Sequence, residues 1–295
     1  MKALVTGAAG FVGRNIANHL AGDTRWNLTL IDIDSRGRVA FDADIRDFFR
    51  SSETHFDLVV HCAAVVGGRL MIEGSPLQLA AEDLSIDAEM WRWALRTKPG
   101  RIVYYSSSAA YPVALQDGEP ALPLSEDDID LDHLATPDQT YGWVKLTGEQ
   151  LARHAANLGL KVHVFRPFSG YGADQDLAYP FPAIIERARR REDPFTVWGS
   201  GEQVRDWIHI GDVVAATMAA VEQDVRGPVN LCTGRATSFL ELAQLVTAAA
   251  GYRPEIRPRP DMPAGVFYRV GDPARMHEFY TPKISLEEGI ARALR

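Results

Sequence analysis

Cysteine is nearly absent: Cys62 and Cys232 are the only two in 295 residues. Each lies in an apolar, strand-like context, so neither a disulfide framework nor a metal cluster is expected. Basic residues are outnumbered by acidic ones, 31 against 39, for a net charge of -8. A phosphate backbone needs a basic face, which argues against nucleic acid as the main partner. A local basic pocket for a phosphorylated small molecule stays compatible with that balance. No apolar run reaches membrane-spanning length, so no membrane partner is expected. The opening MKALVTGAAG meets glycine too early to read as a signal peptide, and a reducing cytoplasm is the expected setting. Apolar residues make up 46% of the chain, enough for a sizeable core, and charged residues 24%, as in an ordinary globular protein.

Residues 2–6 (KALVT) form a short apolar run without polar alternation, which suits a strand covered on both faces of a parallel sheet. Further strands are expected at 28–32, 57–64, 101–107, 160–168 and 227–234. Helical patterns follow at 11–20, at roughly 77–97 and at about 141–158. Strands alternating with helices predict an α/β fold, a doubly wound parallel (Rossmann-type) sheet. After Phe168 the alternation is broken by Pro180, Pro182, a basic run at 187–191 and PEIRPRPDMP at 254–263. The expected organisation is a dinucleotide-binding domain over 1–167 with a return segment at about 205–234. Residues 168–204 and 235–295 would form a smaller C-terminal substrate-binding lobe, closing over a ligand at the switch point of the sheet.

TGAAGFVG carries glycines at 7, 10 and 13, between a strand and a helix. Glycine permits positive φ and lets the backbone approach a pyrophosphate, while the following helix aims its amides at the phosphates. A tight strand-to-helix turn needs glycine too, but Asp32 at the end of the second strand stands where a ribose-binding carboxylate is expected. A carboxylate there repels a 2′-phosphate, so NAD is expected rather than NADP. Arg36 and Arg38 follow closely and are the residues that could accommodate the extra phosphate. Asp44 and Ile45 are candidates for the adenine edge.

YGWVK at 141–145 places Lys145 one helical turn beyond Tyr141, on the same face. An ammonium there favours the phenolate and makes Tyr141 a candidate general base for an alcohol proton. Taken alone the spacing is common among surface pairs. Its company is a strand that ends in YYSSSAAYP, residues 104–112, upstream of it.

Together with TGAAGFVG, these stretches resemble the short-chain dehydrogenase/reductase superfamily. The resemblance is closest to its extended branch of NAD-dependent nucleotide-sugar epimerases and dehydratases. FRPFSGYG (165–172), FTVWGSGEQVRDWIHIGDV (195–213), NLCTGRATSFLELA (230–243) and RVGDP (269–273) continue the likeness in family order across essentially the whole chain. The resemblance implies Ser107, Tyr141 and Lys145 as catalytic residues. It implies Gly7, Gly10, Phe11, Val12, Gly13, Asp32, Asp44, Ile45, Ala63, Ala64 and Pro167 as NAD contacts, together with Tyr141 and Lys145. It implies Ser107, Ser108, Ser169, Arg205, Arg269 and Asp272 as contacts of an NDP-sugar, with no metal. An arginine can fork two donors onto a diphosphate, which agrees with those roles. Helices 77–97 and 141–158 carry apolar residues on more than one face, including Trp91, Trp93 and Trp143, and such helices pair in relatives, so a homodimer is expected. His61, His163 and His209 are expected to play structural parts.

The chain departs from its branch at informative places. Dehydratases carry an aspartate and a glutamate after the active-site hydroxyl residue, whereas here Ser108 and Ala109 follow. Decarboxylating relatives carry a glutamate in this turn, and it too is missing. In the 3,5-epimerising branch, which VVGGR at 65–69 also resembles, a cysteine works at the place of Ala109. The usual asparagine of the FRPFSGYG block is Ser169. The remaining groups suit removal and return of one hydride at one carbinol carbon, and the expectation is epimerisation, at C4 in most relatives. A 4-ketosugar reductase shares every motif and is the alternative, with a non-catalytic dinucleotide-binding regulator behind it.

Overall fold

A computed structural model describes residues 1–33, 41–67, 69–118 and 121–295. Arg36 and Arg38 lie outside the described residues. The chain begins with β1 (Lys2–Thr6), α1 (Phe11–Ala21), β2 (Asn27–Asp32), β3 (Phe41–Asp42), α2 (Ile45–Ser51) and β4 (Leu58–His61). It continues with α3 (Arg69–Gly74), α4 (Pro76–Thr97), β5 (Ile102–Tyr105), α5 (Gln139–Asn157) and β6 (Val162–Pro167). The later part adds β7 (Ser169–Tyr171), α6 (Pro180–Arg189), β8 (Phe195–Trp198), β9 (Val204–Arg205), β10 (Trp207–His209), α7 (Ile210–Glu222) and β11 (Gly227–Leu231). It closes with β12 (Thr237–Ser238), α8 (Phe239–Ala249), β13 (Ile256–Arg259), β14 (Tyr268–Arg269), α9 (Ala274–His277) and α10 (Leu286–Leu294).

The main sheet has seven strands in the order β11-β6-β5-β4-β1-β2-β3, and every pairing within it is parallel. The apolar runs that predicted doubly covered strands behave accordingly: Ala3, Leu4 and Val5 of β1 and Val59 and Val60 of β4 are fully buried. On α1 the buried positions Gly13, Ile16, Ala17 and Leu20 recur at helical spacing and press that face on the sheet with α7. The opposite layer is α2, α4 and α5, where Trp93 packs among Phe48, Phe49 and Phe56. Trp91 and Trp93 thus belong to the core, whereas Trp143 is 42% exposed.

Beyond β6 a separate apolar cluster joins α6, α8, α10 and β8, with Tyr171 and Trp207. The return to the sheet is made by α7 and β11. Residues 205–209, read as part of that return, instead pair outside the main sheet: β9 with β12 and β14, and β10 with β7. Within 254–263 the described backbone forms β13, parallel to β8. Strand order reverses between β1 and β4. Their carboxyl ends form the crevice where an open α/β sheet receives its ligand.

Candidate active site

The glycine turn occupies that crevice. Gly7 has φ +62°, and a Cβ there would stand 2.7 Å from the backbone of Cys62 and Ala63 at the end of β4. A Cβ on Gly13 would meet the Gly7 carbonyl oxygen at 2.1 Å, so α1 can start this close to the turn only with glycine at that position. No side chain caps α1. Its first amides and positive dipole end therefore remain available to a phosphate. Asp32, at the end of β2, accepts from Ala9 N in the same turn at 2.9 Å. These features fit a dinucleotide: a close-approach turn, an uncapped helix start and a carboxylate beside them. Phe11 begins α1, with its ring beside Gly172. Val12 packs on the core below. Ala63 N donates to Thr6 Oγ1 at 3.2 Å, and Ala64 follows it along the crevice edge. Pro167 ends β6, paired with Leu231. Asp44 caps α2 through Arg46 N and forms an ion pair with Arg46 at 2.6 Å, which holds its carboxyl below the usual carboxylate range. The Ile45 side chain is buried in the core, so only its backbone could face a ligand.

The serine turn follows β5. Ser107 Oγ accepts from Ala109 N at 3.1 Å and caps a short 3-10 turn over Ser108–Ala110. Of residues 102–110 only Ser107 is half-buried, and the rest, Ser108 among them at 6% exposed, are buried. The first turn of α5 presses against this turn. Asp138 N donates to Ala109 O at 2.9 Å, and a Cβ on Gly142 would lie 2.4 Å from the same oxygen. Glycine at 142 therefore lets the helix that carries Tyr141 touch the turn that carries Ser107. Gln139, two residues before the tyrosine, holds a left-handed φ of +60°.

Tyr141 and Lys145 share one face of α5, as their spacing predicts. Lys145 Nζ lies 5.6 Å from the ring centroids of both Tyr141 and Tyr104. Lys145 is 6% exposed. Burial alone would lower its ammonium, but Tyr141, Asp87 and Asp83 outweigh that and hold it above its ordinary value. Cys62, near Lys145, is pushed up to about 12 by burial and so stays a thiol at neutral pH.

Under the crevice a second polar assembly anchors the helix. Glu149 on α5 accepts from Ser106 Oγ at 2.5 Å and forms a two-point ion pair with Arg166 of β6 at 2.9 and 2.7 Å. The histidines have structural partners: His61 with Thr6 and Asp87, His163 with Val225 O, and His209 as the cap of α7.

Of the two arginines expected at the phosphates, Arg269 binds a carboxylate that sequence reasoning missed. Arg269 Nη2 donates to Asp138 Oδ2 at 2.7 Å. Arg69, also missed, donates to both Asp138 oxygens at 3.1 Å. A Cβ on Gly265 would fall 3.2 Å from Arg69 Nη1 and 3.3 Å from Arg205 Nη2, so these two guanidinium groups border one small space, and Arg269 shares Asp138 with Arg69. Arg205 donates to Val204 O and Ala264 O and, among the described residues, has no carboxylate within ion-pair distance. Desolvation, then repulsion from Arg269 and Arg69, pulls it down to about 9, so it remains a cation at neutral pH. Ser169 begins β7, where its backbone N donates to Asp206 O at 2.9 Å. The Asp272 carboxylate accepts from Ala274 N. The VVGGR stretch held the signal for Arg69, a cation that follows paired glycines in the sequence and begins α3.

A parallel sheet with this strand order, a glycine turn at its switch point and a Tyr-Lys pair beside a serine turn define a nicotinamide-dependent class of proteins. The chain belongs to the NAD dependent epimerase/dehydratase family, whose model matches residues 3–232. It is 29% identical over 297 residues to a dTDP-4-dehydro-6-deoxy-D-allose reductase of a Streptomyces species, covering 93% of this chain and 89% of that one. It is 28% identical to a putative UDP-glucose 4-epimerase of Methanocaldococcus jannaschii, covering 99% and 96%. The structure superposes on the crystal structure of UDP-glucose 4-epimerase from Thermotoga maritima with UDP-glucose at a TM-score of 0.86, with 26% identity and coverage of 100% and 97%.

Proposed function

We propose that this protein binds NAD and epimerises an NDP-sugar at C4 through a transient keto intermediate. One observation carries the reading: Tyr141 and Lys145 are packed against a serine turn that offers alanine, not an acid or a thiol, at position 109. Elimination of water or inversion beside the carbonyl would need a second proton-transfer group there. Oxidation and re-reduction of one carbinol need only one.

When bound, NAD supplies the acceptor and donor of the substrate's hydride. Gly7, Gly10, Gly13 and the start of α1 would hold its pyrophosphate, and Asp32 its adenosine ribose. Tyr141 takes the proton of the sugar hydroxyl as that carbon is oxidised, and returns it to the carbonyl oxygen on reduction. Lys145 keeps a positive charge beside the phenol throughout. Ser107 donates a hydrogen bond to the same oxygen. Arg205, Arg269 and Arg69 would grip the diphosphate. The exposed faces of α4 and α5, with Trp143 and Leu84, would join two copies into a homodimer.

The test is incubation of the purified protein with UDP-, GDP-, dTDP- and ADP-hexoses, following both epimer ratio and nicotinamide absorbance. Conversion between two epimers with constant absorbance is expected. Stoichiometric consumption of NADH by a 4-ketosugar would instead establish the second reading, a reductase, which the 29% identity to the allose reductase favours.

The arginine cluster gives a separate expectation. Charge-assisted hydrogen bonds are worth about 1.5–3 kcal/mol each, so Arg69→Met should weaken binding of the free nucleoside diphosphate roughly tenfold to a hundredfold. Calorimetry with NDP alone reads this. Unchanged affinity would remove Arg69 from the site.

A further inference from the structure

Asp83 and Asp87 stand one turn apart on α4, 2% and 4% exposed. Asp87 uses both oxygens: Oδ1 lies 3.2 Å from His61 Nε2, and Oδ2 accepts from the Tyr104 hydroxyl at 2.7 Å. Asp83 is only half engaged. Its Oδ1 accepts from Val65 N at 2.5 Å, while its Oδ2 is buried and, among the described residues, has no hydrogen-bond partner. A backbone anchor needs only an acceptor, which an asparagine carbonyl would supply at lower desolvation cost. The charge is what asparagine lacks, and the nearby cation is Lys145, poised over the Tyr104 ring that Asp87 holds.

We propose that Asp83 is a positioning residue for the reaction: its buried carboxylate holds Lys145 as an ammonium and, across Lys145, sets the pH at which Tyr141 releases its proton. The inference rests on Tyr141 being the acid/base group of the proposed function. Other groups face this cluster from each packed element. They are Glu82 and Asp87 on α4, His61 and Cys62 at the end of β4, Tyr104 on β5, Glu149 on α5, and Tyr179 just before α6. Burial keeps Cys62, Tyr104 and Tyr179 protonated through neutral pH. Burial works against ionisation of Asp87, yet its bonds to His61 and Tyr104 and the charge of Lys145 hold it below the usual carboxylate range. Asp83 is pushed up to about 6 by burial against the pull of Lys145, so it is ionised at pH 7 and above.

The sign follows from charge alone. An anion behind Lys145 offsets part of the field that favours the phenolate, so removing it should make Tyr141 ionise at lower pH. Two unit charges several ångströms apart in a protein interior shift one another by about one pH unit. The experiment is an ultraviolet phenolate titration of the NAD-loaded protein, with the Tyr141 step identified as the one lost in Tyr141→Phe. In Asp83→Asn, which keeps the acceptor for Val65 N, this step is expected about one unit lower, with unchanged thermal stability. Asp83→Ser serves as a second neutral variant and is expected to move the step the same way. The same titration on His61→Asn, which leaves Asp83 in place, is expected to leave a difference between it and His61→Asn/Asp83→Asn. A Tyr141 step that stays put or rises in the Asp83 variants would overturn the proposal. The titration needs no substrate, so a shifted step in a protein that reduces a ketosugar but interconverts no epimers would leave this inference standing and remove the epimerase reading.

Discussion

Replacement of Tyr141 by phenylalanine is expected to lower kcat roughly a hundredfold to ten-thousandfold, the range of a general acid–base group. The ring stays, and so does its packing beside Lys145, whose Nζ lies 5.6 Å from the centroid. Only the oxygen that exchanges a proton with the sugar hydroxyl is removed. The affinity for NAD should therefore change little, because the glycine turn, the α1 amides and Asp32 are untouched. Equal losses in kcat and kcat/KM would mark an interaction made in the transition state. Retention of more than a tenth of the activity would show that another group carries the proton, and the phenol of Tyr179, which stands at the start of α6 and interacts electrostatically with Tyr141, would be the one to replace next.

How far such a site can be read from sequence depends on the distance over which its partners act. The glycine turn and the Tyr-Lys pair are local. Their spacing fixes turn, helix and shared face, and the structure reproduces both. The strand ends were less legible. Residues 57–64 and 101–107 read as strands, yet β4 ends at His61 and β5 at Tyr105. Beyond β4 the backbone of Cys62 and Ala63 packs against Gly7, and periodicity cannot distinguish such a segment from a continuing buried strand. Asp138 pairs with Arg269 across 131 positions, and no local pattern announces that. Asp83 and Asp87 look like an ordinary solvated helix face if acids are counted. Their registration with Leu79, Ile86 and Met90 on the buried stripe of α4 is the signal that they are core carboxylates.

The second large effect concerns stability. Glu149→Leu is expected to cost about 3–5 kcal/mol, since it leaves the Arg166 guanidinium buried without its counter-charge. Arg166 is 1% exposed and Glu149 2%, so water cannot replace the lost partner. The remaining bonds of Arg166, to Glu126 O and the Tyr111 hydroxyl, solvate it but do not neutralise it. For a chain of this size the loss corresponds to a fall in Tm of about 5–8 °C, read by calorimetry. Replacing Arg166 by leucine in the same protein removes the orphaned charge, so the double variant should recover at least half of the loss. Ser106 Oγ also loses its acceptor, and Ser106 directly precedes Ser107. Activity of Glu149→Leu measured well below its Tm should therefore fall further than the folded fraction accounts for. A variant that melts like the wild type would mean that Arg166 reaches solvent, and the ion pair would then not be what fastens the Tyr141 helix to the sheet.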